Sequence, residues 1–320
     1  MLLDWIRYKR CGMIEKTSRQ LIKDFDIYIV ISKIKVRAFF SFIVLLAVAG
    51  QSAQAAGRVE CGSVPSKNAG GKVAYCALLP PSYDTLKGKQ FPVLYLLHGL
   101  GDNSQTLINT GIWNVVEGMQ RQKKIGEFVI ITPNAGASFY INSKDGRVRY
   151  EDFFVHEFLP AMQKKYRISA SRGGRAISGI SMGGYGALRL AFKYPQMFSS
   201  VSAHMPALME HMPTGAGYAG LAAYMGTAFG KPLDAAFWDK NTPFVFARSA
   251  DLNGLRIYFD CGDHDDYGFD AGARALDKLI SVRKIAHESH IYPGGHNWQY
   301  VSQHLDASLQ FHSRAFGLSN

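Results

Sequence analysis

Short apolar runs alternate with helical stretches from Phe91 onward, and this alternation constrains the fold more than any other feature of the chain. Continuous apolar runs of this length are typical of parallel strands buried on both faces. The segments between them are long enough for crossover helices. The pattern therefore predicts one α/β domain with a doubly wound, mostly parallel sheet. The predicted strands are Phe91–Leu97, Phe128–Thr132, Arg175–Ile180, Phe198–Ala203, Leu255–Cys261 and His287–Tyr292. The predicted helices are Val155–Tyr166, Tyr185–Tyr194, Asp270–Val282 and Trp298–Phe311.

Composition excludes several classes of protein. Hydrophobic residues make up 47% of the 320 residues and charged residues 19%, which excludes general disorder. The net charge is +11, but no block of Lys and Arg occurs beyond residue 56. Nucleic-acid binders usually concentrate their charge in a patch or stripe, so we expect no nucleic-acid partner.

Residues 1–55 have the character of a leader that precedes the domain. Residues 38–50 form an apolar run of 13 residues, with three basic residues just before it and Ala53-Gln54-Ala55 after it. This order is typical of a secretory signal peptide, and the run is too short to span a bilayer comfortably. A buried core strand or helix would leave the basic flank and the Ala-x-Ala pattern unexplained. We therefore predict a secreted or periplasmic protein whose mature domain, residues 56–320, begins near Ala56.

The length of the segment before the apolar run leaves two alternatives to a cleaved leader that starts at Met1. Residues 1–37 are long for such a segment and contain four acidic residues. Either the true start is later in the chain, or the leader is an uncleaved anchor and the protein's only contact with a membrane.

Two cysteines lie near the start of the predicted domain. Cys61 and Cys76 lie in two strand-like stretches, Arg58–Val64 and Lys72–Leu79, that are separated by a polar, Gly-containing turn. An antiparallel hairpin would place the two cysteines opposite each other, and an exported chain meets an oxidising compartment. The sequence predicts a Cys61–Cys76 disulfide, with two reduced, buried cysteines as the alternative. We expect Cys261, in an apolar strand, to be a packing residue.

The segment 206–253 interrupts the β/α pattern. It is rich in Ala, Gly, Met and aromatic residues, and its length of about 48 residues is too great for a plain connection. Several of its large apolar side chains need burial, which favours a cap over a site rather than an exposed decoration. They are Met209, Met212, Tyr218, Tyr224, Phe237 and Trp238.

A G-x-S-x-G pattern provides the candidate nucleophile. Gly179-Ile180-Ser181-Met182-Gly183 follows a predicted strand and enters a predicted helix, as a nucleophile elbow requires. Gly179 and Gly183, two positions before and after Ser181, let the strand and the helix approach closely. Ser181 then lies at a helix N-terminus, where backbone amides favour negative charge. The alternative is a tight strand–helix turn with an idle serine.

A serine hydroxyl needs a base, and the base needs a carboxylate that orients it. His296 follows Gly294-Gly295 on a loop and is the candidate base. Asp265, on the loop after the Leu255–Cys261 strand, is the candidate acid, with Asp263 next. The alternative for this aspartate-rich segment is a solvated acidic loop or a weak cation site.

The two backbone amides that would stabilise an oxyanion can also be assigned. Met182 follows the nucleophile, and Leu100 lies between two glycines on the loop after Phe91–Leu97. The alternative for that loop is an ordinary strand end that contains glycine. His287 and His290 would lie on opposite strand faces, and neither H-E-x-x-H nor C-x-x-C occurs. We therefore expect no catalytic metal and no cofactor.

Four of these segments together resemble a known family. They are Leu97–Gly101 (LHGLG), Gly179–Gly184 (GISMGG), Cys261–Asp265 (CGDHD) and Gly294–Trp298 (GGHNW). In this order they are similar to the esterase D family of α/β-hydrolases, also called putative esterases. That family includes S-formylglutathione hydrolases, feruloyl and acetyl-xylan esterases, and mycolyltransferases. The resemblance covers about residues 58–315.

The resemblance implies an α/β-hydrolase fold and a role for each matched residue. Ser181 would be the nucleophile, His296 the base and Asp265 the acid, with the Leu100 and Met182 amides as the oxyanion hole. S-formylglutathione hydrolases are typically intracellular, so the leader disfavours that substrate. Segment 206–253 matches no substrate-specific signature.

The sequence therefore predicts an exported serine esterase that acts on small-molecule or polysaccharide-linked esters. Short-chain esters and esters of carbohydrates or aromatic acids are the expected substrates. Trp113, Tyr140 and Trp298 are candidates for the pocket lining, although core packing is the more usual role for any one of them. An acyltransferase with the same triad, a peptidase and a non-catalytic binding protein on the same fold remain the alternatives. The oligomeric state is left open.

Overall fold

An eight-stranded sheet organises the part of the chain that the computed structural model describes, residues 56–215 and 219–318. The predicted leader lies outside these residues. The strand order is β1-β2-β4-β3-β5-β6-β7-β8. Strand β2 is antiparallel to both β1 and β4, and the remaining neighbours are parallel. The predicted mostly parallel sheet with an N-terminal antiparallel hairpin is confirmed. The strands are β1 (Arg58–Ser66), β2 (Gly71–Leu79), β3 (Val93–Leu97), β4 (Val129–Pro133), β5 (Arg175–Ile180), β6 (Ser200–His204), β7 (Arg256–Gly262) and β8 (Glu288–Tyr292).

Helices connect the strands, and the longest of them agree with the helical spacing in the sequence. The helices are α1 (Thr106–Asn109), α2 (Ile112–Arg121), α3 (Tyr150–Asp152), a π-helical segment (Phe153–Phe158), α4 (Leu159–Lys165), α5 (Met182–Lys193), α6 (Ala219–Phe229), α7 (Ala235–Asn241), α8 (Pro243–Ser249), α9 (Phe269–Val282) and α10 (Trp298–Ala315). Two 3₁₀ turns, Pro81–Tyr83 and Arg172–Gly174, complete the described elements. No helix in the described part is long and apolar enough to cross a bilayer.

The two faces of the sheet are buried by different helices. Helices α2 and α10 contact each other, and α10 covers β6 and β7. Helix α5 contacts β3, β5 and β6, and it packs on α8, which in turn contacts α9. Strand β6 contributes residues to both faces of the sheet, because its alternate side chains point to opposite sides. Ser200, Ser202 and His204 hydrogen-bond within the layer under α10, whereas Val201 and Ala203 belong to the apolar core.

The N-terminal hairpin pairs Cys61 with Cys76 in register, and the two residues are joined by a disulfide. Cys76 is fully buried. The bond therefore links the edge strand β1 to β2, which carries the hairpin onto the rest of the sheet.

Segment 206–253 is mostly helical and is divided between two roles. Helix α6 contributes Leu221 to a cavity described below. Helices α7 and α8 instead pack on the core, where Trp238 is fully buried against Tyr185 and Phe229. Only the first part of the predicted cap therefore borders the cavity. Tyr218 lies outside the described residues.

Candidate active site

Three loops meet at the carboxyl ends of the parallel strands. Ser181 follows β5, Asp265 follows β7, and His296 follows β8. Open α/β sheets bind ligands at this edge. His296 Nδ1 lies 2.6 Å from Asp265 Oδ2, and His296 Nε2 lies 2.9 Å from Ser181 Oγ. The structure thus brings together the three residues that the sequence nominated.

The turn that holds Ser181 is strained. Ser181 has φ 54° and ψ −115°, a backbone conformation that costs a non-glycine residue about 1–3 kcal/mol. A Cβ atom at position 179 would lie 2.1 Å from the Gly183 carbonyl oxygen, and one at position 183 would lie 2.1 Å from the Leu97 carbonyl oxygen. Both positions therefore require glycine, and their close packing lifts the Ser181 side chain out of the sheet at the start of α5.

Backbone amides fix the carboxylate of Asp265. Its Oδ1 atom accepts hydrogen bonds from the Tyr267 amide at 2.9 Å and the Phe269 amide at 3.3 Å, which leaves Oδ2 for His296. Burial opposes ionisation, but the hydrogen bond from His296, its charge and the two amides outweigh burial and hold the Asp265 pKa below its ordinary value. Asp265 is therefore an ionised, immobile partner for the imidazole.

The other three aspartates of the segment have different partners. Asp263 Oδ1 accepts from the Gly294 amide at 3.0 Å, and Asp266 Oδ2 accepts from the His296 amide at 3.2 Å. Asp260 is fully buried in β7. Asp263, the sequence alternative for the acid, thus binds the backbone of the loop that carries His296 and does not contact the imidazole.

His296 is packed between aromatic edges. The rings of Tyr267 and Phe269 meet the imidazole in T-shaped contacts at 4.9 and 5.4 Å, and 12% of the His296 side chain is exposed. A Cβ atom at position 262 would lie 2.2 Å from the Gly294 carbonyl oxygen, so glycine at the end of β7 lets this loop approach. The imidazole is consequently held with one nitrogen toward Asp265 and the other toward Ser181.

The loop after β3 is fixed from behind by two buried side chains. His98 Nδ1 donates to the Gly99 carbonyl at 2.7 Å, and His98 Nε2 accepts from the Ala135 amide at 2.8 Å. Burial lowers the pKa of His98, in keeping with a neutral ring that has one donor and one acceptor. The Tyr140 hydroxyl donates to the His98 carbonyl at 3.0 Å. These bonds hold the loop on which the Leu100 amide lies.

A cavity of about 210 Å³ opens at Ser181, and most of its lining is apolar. Its lining includes Leu100, Phe139, Ser181, Met182, Met205, Leu221, Phe269, His296, Trp298 and Val301. Of the three aromatic candidates, Trp298 lies in this cavity.

Trp113 and Tyr140 do not line the cavity, and this corrects their expected role. Trp113 lies against the chain at Gly57, where a Cβ atom would be 2.8 Å from its ring. Tyr140 is fully buried behind the His98 carbonyl. The positions of His98 and Phe139 at this site were not predicted from the sequence. The position of His98 inside the LHGLG segment was the one available signal.

Cys261 contacts the triad carboxylate as well as the core. Its Sγ atom lies 3.6 Å from Asp265 Oδ2, the distance of a weak S–H donor. Burial and the neighbouring carboxylate raise the pKa of this thiol, so it stays protonated. Within the described residues, no three His, Cys, Asp or Glu side chains are placed to hold a metal ion.

The comparisons with known proteins agree with this geometry. The family model described as "Putative esterase" matches residues 66–312. An esterase of Mycobacterium tuberculosis is 34% identical over 243 residues, which cover 68% of this chain and 51% of that protein. This chain therefore spans about half the length of that relative. An acetyl esterase of Caldicellulosiruptor saccharolyticus is 25% identical over 69% of this chain and 83% of its own length.

Solved structures show the same architecture. A ferulic acid esterase superposes with a TM-score of 0.71 at 27% identity, over 81% of this chain and 99% of that one. By its matched segments, its sheet and its relatives, the chain belongs to the putative esterase family of α/β-hydrolases.

Proposed function

We propose that this protein is an exported serine carboxylic-ester hydrolase that works through an acyl-enzyme. The observation that carries the proposal is the unbroken contact from Asp265 through His296 to Ser181, at the mouth of a cavity. A serine hydroxyl is a weak nucleophile, and an adjacent imidazole oriented by a carboxylate is the arrangement that activates it.

Acylation begins with the attack of Ser181 Oγ on the ester carbonyl carbon, while His296 Nε2 takes the hydroxyl proton. Asp265 holds the imidazole so that Nε2 is free to accept, and it stabilises the imidazolium that forms. The carbonyl oxygen becomes an oxyanion beside the Leu100 and Met182 amides. Met182 is the first residue of α5, so the positive end of the helix dipole adds to the stabilisation.

The tetrahedral intermediate collapses when its bond to the alcohol oxygen breaks. His296 gives its proton to that oxygen, and the alcohol leaves. Water then attacks the acyl-enzyme with His296 as base, and the same two amides hold the second oxyanion. Ser181 recovers its proton from His296, and the carboxylic acid is released.

The cavity supports a short or planar acyl group. Its small volume and largely apolar lining exclude long flexible chains from its enclosed part. Relatives named as an acetyl esterase and a ferulic acid esterase agree with short-chain or aromatic-acid esters as substrates. Small-molecule and polysaccharide-linked esters are both compatible with a site at the surface edge of the sheet.

Export is supported by the leader pattern of residues 1–55 and by the Cys61–Cys76 disulfide, because disulfides persist in oxidising compartments. The proposed mature domain begins near Ala56 and the proposed location is secreted or periplasmic. N-terminal sequencing of protein recovered from the medium or the periplasm tests this. Recovery of the chain only from the cytoplasm, with Met1 still in place, would contradict export.

The test of the proposed chemistry is hydrolysis of p-nitrophenyl acetate and butyrate, with folded Ser181→Ala protein beside the wild type. We expect turnover by the wild type, a loss of several orders of magnitude in the variant, and fluorophosphonate labelling at Ser181 alone. Equal, slow rates for both proteins without labelling of Ser181 would show that the proposal is wrong. Added alcohols, with analysis of the products, distinguish hydrolysis from acyl transfer.

A further inference from the structure

Lysine and arginine are absent from the described walls of the catalytic cavity, although the chain as a whole is basic. The chain has 36 Lys and Arg against 25 Asp and Glu, a net charge of +11. Among the described residues, none that lines the cavity at Ser181 is Lys or Arg. An adjoining cleft of about 700 Å³ shares Leu100, Leu221 and Tyr267 with the cavity, and its described lining also contains neither. The charge around Ser181 therefore differs in sign from the average of the chain.

One carboxylate outside the triad lines this cavity. Asp102 is half-buried on the loop after β3, the loop that carries the Leu100 amide. A Cβ atom on Gly99 would lie 3.1 Å from Asp102 Oδ2 and 3.6 Å from Ser181 Cβ. The carboxylate and the nucleophile therefore lie on the same side of Gly99, and a substrate at Ser181 is bound close to the Asp102 charge.

Asp102 differs from Asp265 in the partners of its carboxylate. Asp265 Oδ2 lies 2.6 Å from His296 Nδ1, so its charge is directed at the imidazole. Burial raises the pKa of the Asp102 carboxyl, and hydrogen bonding by the Gly99 amide and the Thr106 hydroxyl opposes the rise. Both of these partners are neutral. A positively charged ligand at Ser181 would thus be attracted by an unmatched carboxylate, and a negatively charged ligand would be repelled.

The aromatic lining of the cavity acts in the same direction. Four aromatic side chains line the cavity with Asp102, namely Phe139, Tyr267, Phe269 and Trp298. Aromatic rings attract ammonium groups over their faces, and the attraction is stronger where water is excluded. A carboxylate that entered the same cavity would lose hydration beside Asp102, without a described Lys or Arg to replace it.

We propose that Asp102 makes the site selective for charge, so that it prefers esters with an ammonium group and rejects esters with a carboxylate. The inference rests on the proposed ester hydrolysis at Ser181 and specifies the charge class of its substrates. One carboxylate produces both effects, because it attracts one sign of charge and repels the other. Since Coulomb energy falls only as the inverse of distance, the selection applies to a charge on either half of the ester.

Two pairs of esters, each alike in shape and different in charge, test the proposal. Acetylcholine is compared with 3,3-dimethylbutyl acetate, in which a tert-butyl group replaces the trimethylammonium group. Monoethyl succinate is compared with ethyl succinamate, in which a carboxamide replaces the carboxylate. For each ester, kcat/KM is measured by acid release with the full chain, at about pH 8 and low ionic strength, because salt screens charge interactions.

Asp102→Asn is the main variant, because asparagine has the same shape, keeps an acceptor oxygen and has no charge. Asp239→Asn is the matched control. Asp239 is exposed on α7 and lines neither the cavity nor the cleft, so this variant changes the net charge by the same amount elsewhere. The readout is the ratio of kcat/KM within each pair, so a change in kcat that is common to both esters cancels.

We expect Asp102→Asn to lower the ratio of acetylcholine to 3,3-dimethylbutyl acetate about threefold to tenfold, the size of one charge interaction in a partly solvated site. The ratio of monoethyl succinate to ethyl succinamate should rise by a similar factor. Asp239→Asn should leave both ratios within about twofold of the wild type. If Asp102→Asn does not fold, product inhibition of the wild type decides, and choline should bind at least about threefold more tightly than 3,3-dimethylbutan-1-ol.

The failures of the two proposals can be told apart. Turnover of the neutral esters with unchanged ratios in folded Asp102→Asn protein overturns the charge selection and leaves the esterase standing. Equal changes in Asp239→Asn, a change in only one pair, or choline binding no tighter than its neutral analogue would also overturn the charge selection. No turnover of any of the esters by the wild type, and no difference from Ser181→Ala, overturns the esterase and the charge selection with it.

Discussion

The described residues include two Ser–His–Asp sets with similar interatomic distances. In the first, His296 joins Ser181 at 2.9 Å and Asp265 at 2.6 Å. In the second, His204 Nε2 lies 2.7 Å from Ser308 Oγ, whereas His204 Nδ1 lies 2.9 Å from Asp260 Oδ2 without forming a hydrogen bond. The cavity of about 210 Å³ opens at the first set. All three residues of the second set are at most 1% exposed, under α10.

The backbone around each serine also distinguishes the two sets. Ser181 lies on a strained turn at the N-terminus of α5, whereas Ser308 lies within α10 and its hydroxyl donates to the Leu305 carbonyl at 2.9 Å. A proton held by a helix carbonyl is not available to the imidazole. Three residue types in contact are therefore insufficient: a catalytic set also needs access, a free hydroxyl proton and donors for the developing charge.

The buried set nevertheless contacts the turn that holds Ser181. The His204 carbonyl accepts a hydrogen bond from the Ser181 amide at 2.9 Å, so β6 holds the nucleophile turn through its backbone. The side chain of His204 ties the same strand to β7 and α10. We infer that the second set stabilises the platform on which the first set operates.

The largest predicted contrast is between the two serines. Ser181→Ala should lower kcat at least about 10⁴-fold, since the loss of a triad nucleophile removes most of the rate enhancement. Ser308→Ala should leave kcat within about twofold of the wild type and lower the free energy of unfolding by about 1–3 kcal/mol, because His204 loses a buried partner. Ester hydrolysis and urea denaturation of both variants check this. A large loss of kcat in folded Ser308→Ala protein would contradict the division of roles.

Substitutions of Asp265 and Asp260 should differ in the same way, the first lowering kcat and the second lowering stability. Asp265→Asn is expected to lower kcat about 10³- to 10⁴-fold, because Asn Oδ1 keeps the two backbone amides and its NH₂ group then faces His296 Nδ1. Because the Asn NH₂ group donates to Nδ1, the imidazole carries its proton on Nε2. Nε2 then cannot accept the proton of Ser181. Asp260→Asn should instead cost about 1–3 kcal/mol of stability, with kcat of the folded protein retained. Steady-state kinetics at a temperature where both variants are folded distinguish the two effects.

Much of the fold and of the site at Ser181 could be predicted from the sequence, because the signals for both lie within short segments. β5 was placed at its observed residues, and the other predicted strands differ from the structure by one or two residues at their ends. Apolar runs and glycine spacing are properties of a short segment, and they predicted the sheet and the turn at Ser181. Helices α1 and α2 were missed, although Ile112, Val116 and Met119 have the spacing of one helix face.

What the sequence could not supply was the direction in which a side chain points. Trp113 and Tyr140 are aromatic residues near the site in sequence order, but tertiary packing turns both away from the cavity. The choice between Asp263 and Asp265 likewise depends on which carboxylate the loop after β7 presents to His296. The buried His204 set gave no sequence signal, because its residues come from three distant segments.

A fall in pH should lower the free energy of unfolding through the buried polar residues under α10. His312, fully buried between Ser200 and Ser202, has its pKa lowered to about 3 by burial and by nearby His204. Between pH 6.5 and 3 the unfolded chain takes up a proton that folded His312 does not, so stability falls as the pH falls. The slope is about 1.4 kcal/mol per pH unit for one such group.

Urea denaturation from pH 7.5 to 4.5 measures this slope. His312→Gln should be less stable than the wild type at pH 7.5 but should lose less stability on acidification. His264→Gln is the control, because 86% of the His264 side chain is exposed, and it should leave the slope unchanged. An unaltered slope in the His312 variant would show that other groups carry the acid sensitivity.

The smallest predicted effect concerns the loop after β3, which carries the Leu100 amide and has no counterpart at the buried set. Tyr140→Phe removes the hydroxyl that donates to the His98 carbonyl, so the Leu100 amide should be less firmly placed beside the oxyanion. We expect kcat for p-nitrophenyl acetate to fall about threefold to tenfold with little change in KM, because an oxyanion donor acts in the transition state.

Tyr185→Phe is the matched control. Its hydroxyl is equally buried and donates to the Asn241 carbonyl at 2.8 Å, away from the loop. Equal losses of kcat in the two variants would mean that a buried hydroxyl acts here through general stability. A loss confined to Tyr140→Phe would show that support of the amide loop separates the catalytic set from its buried counterpart.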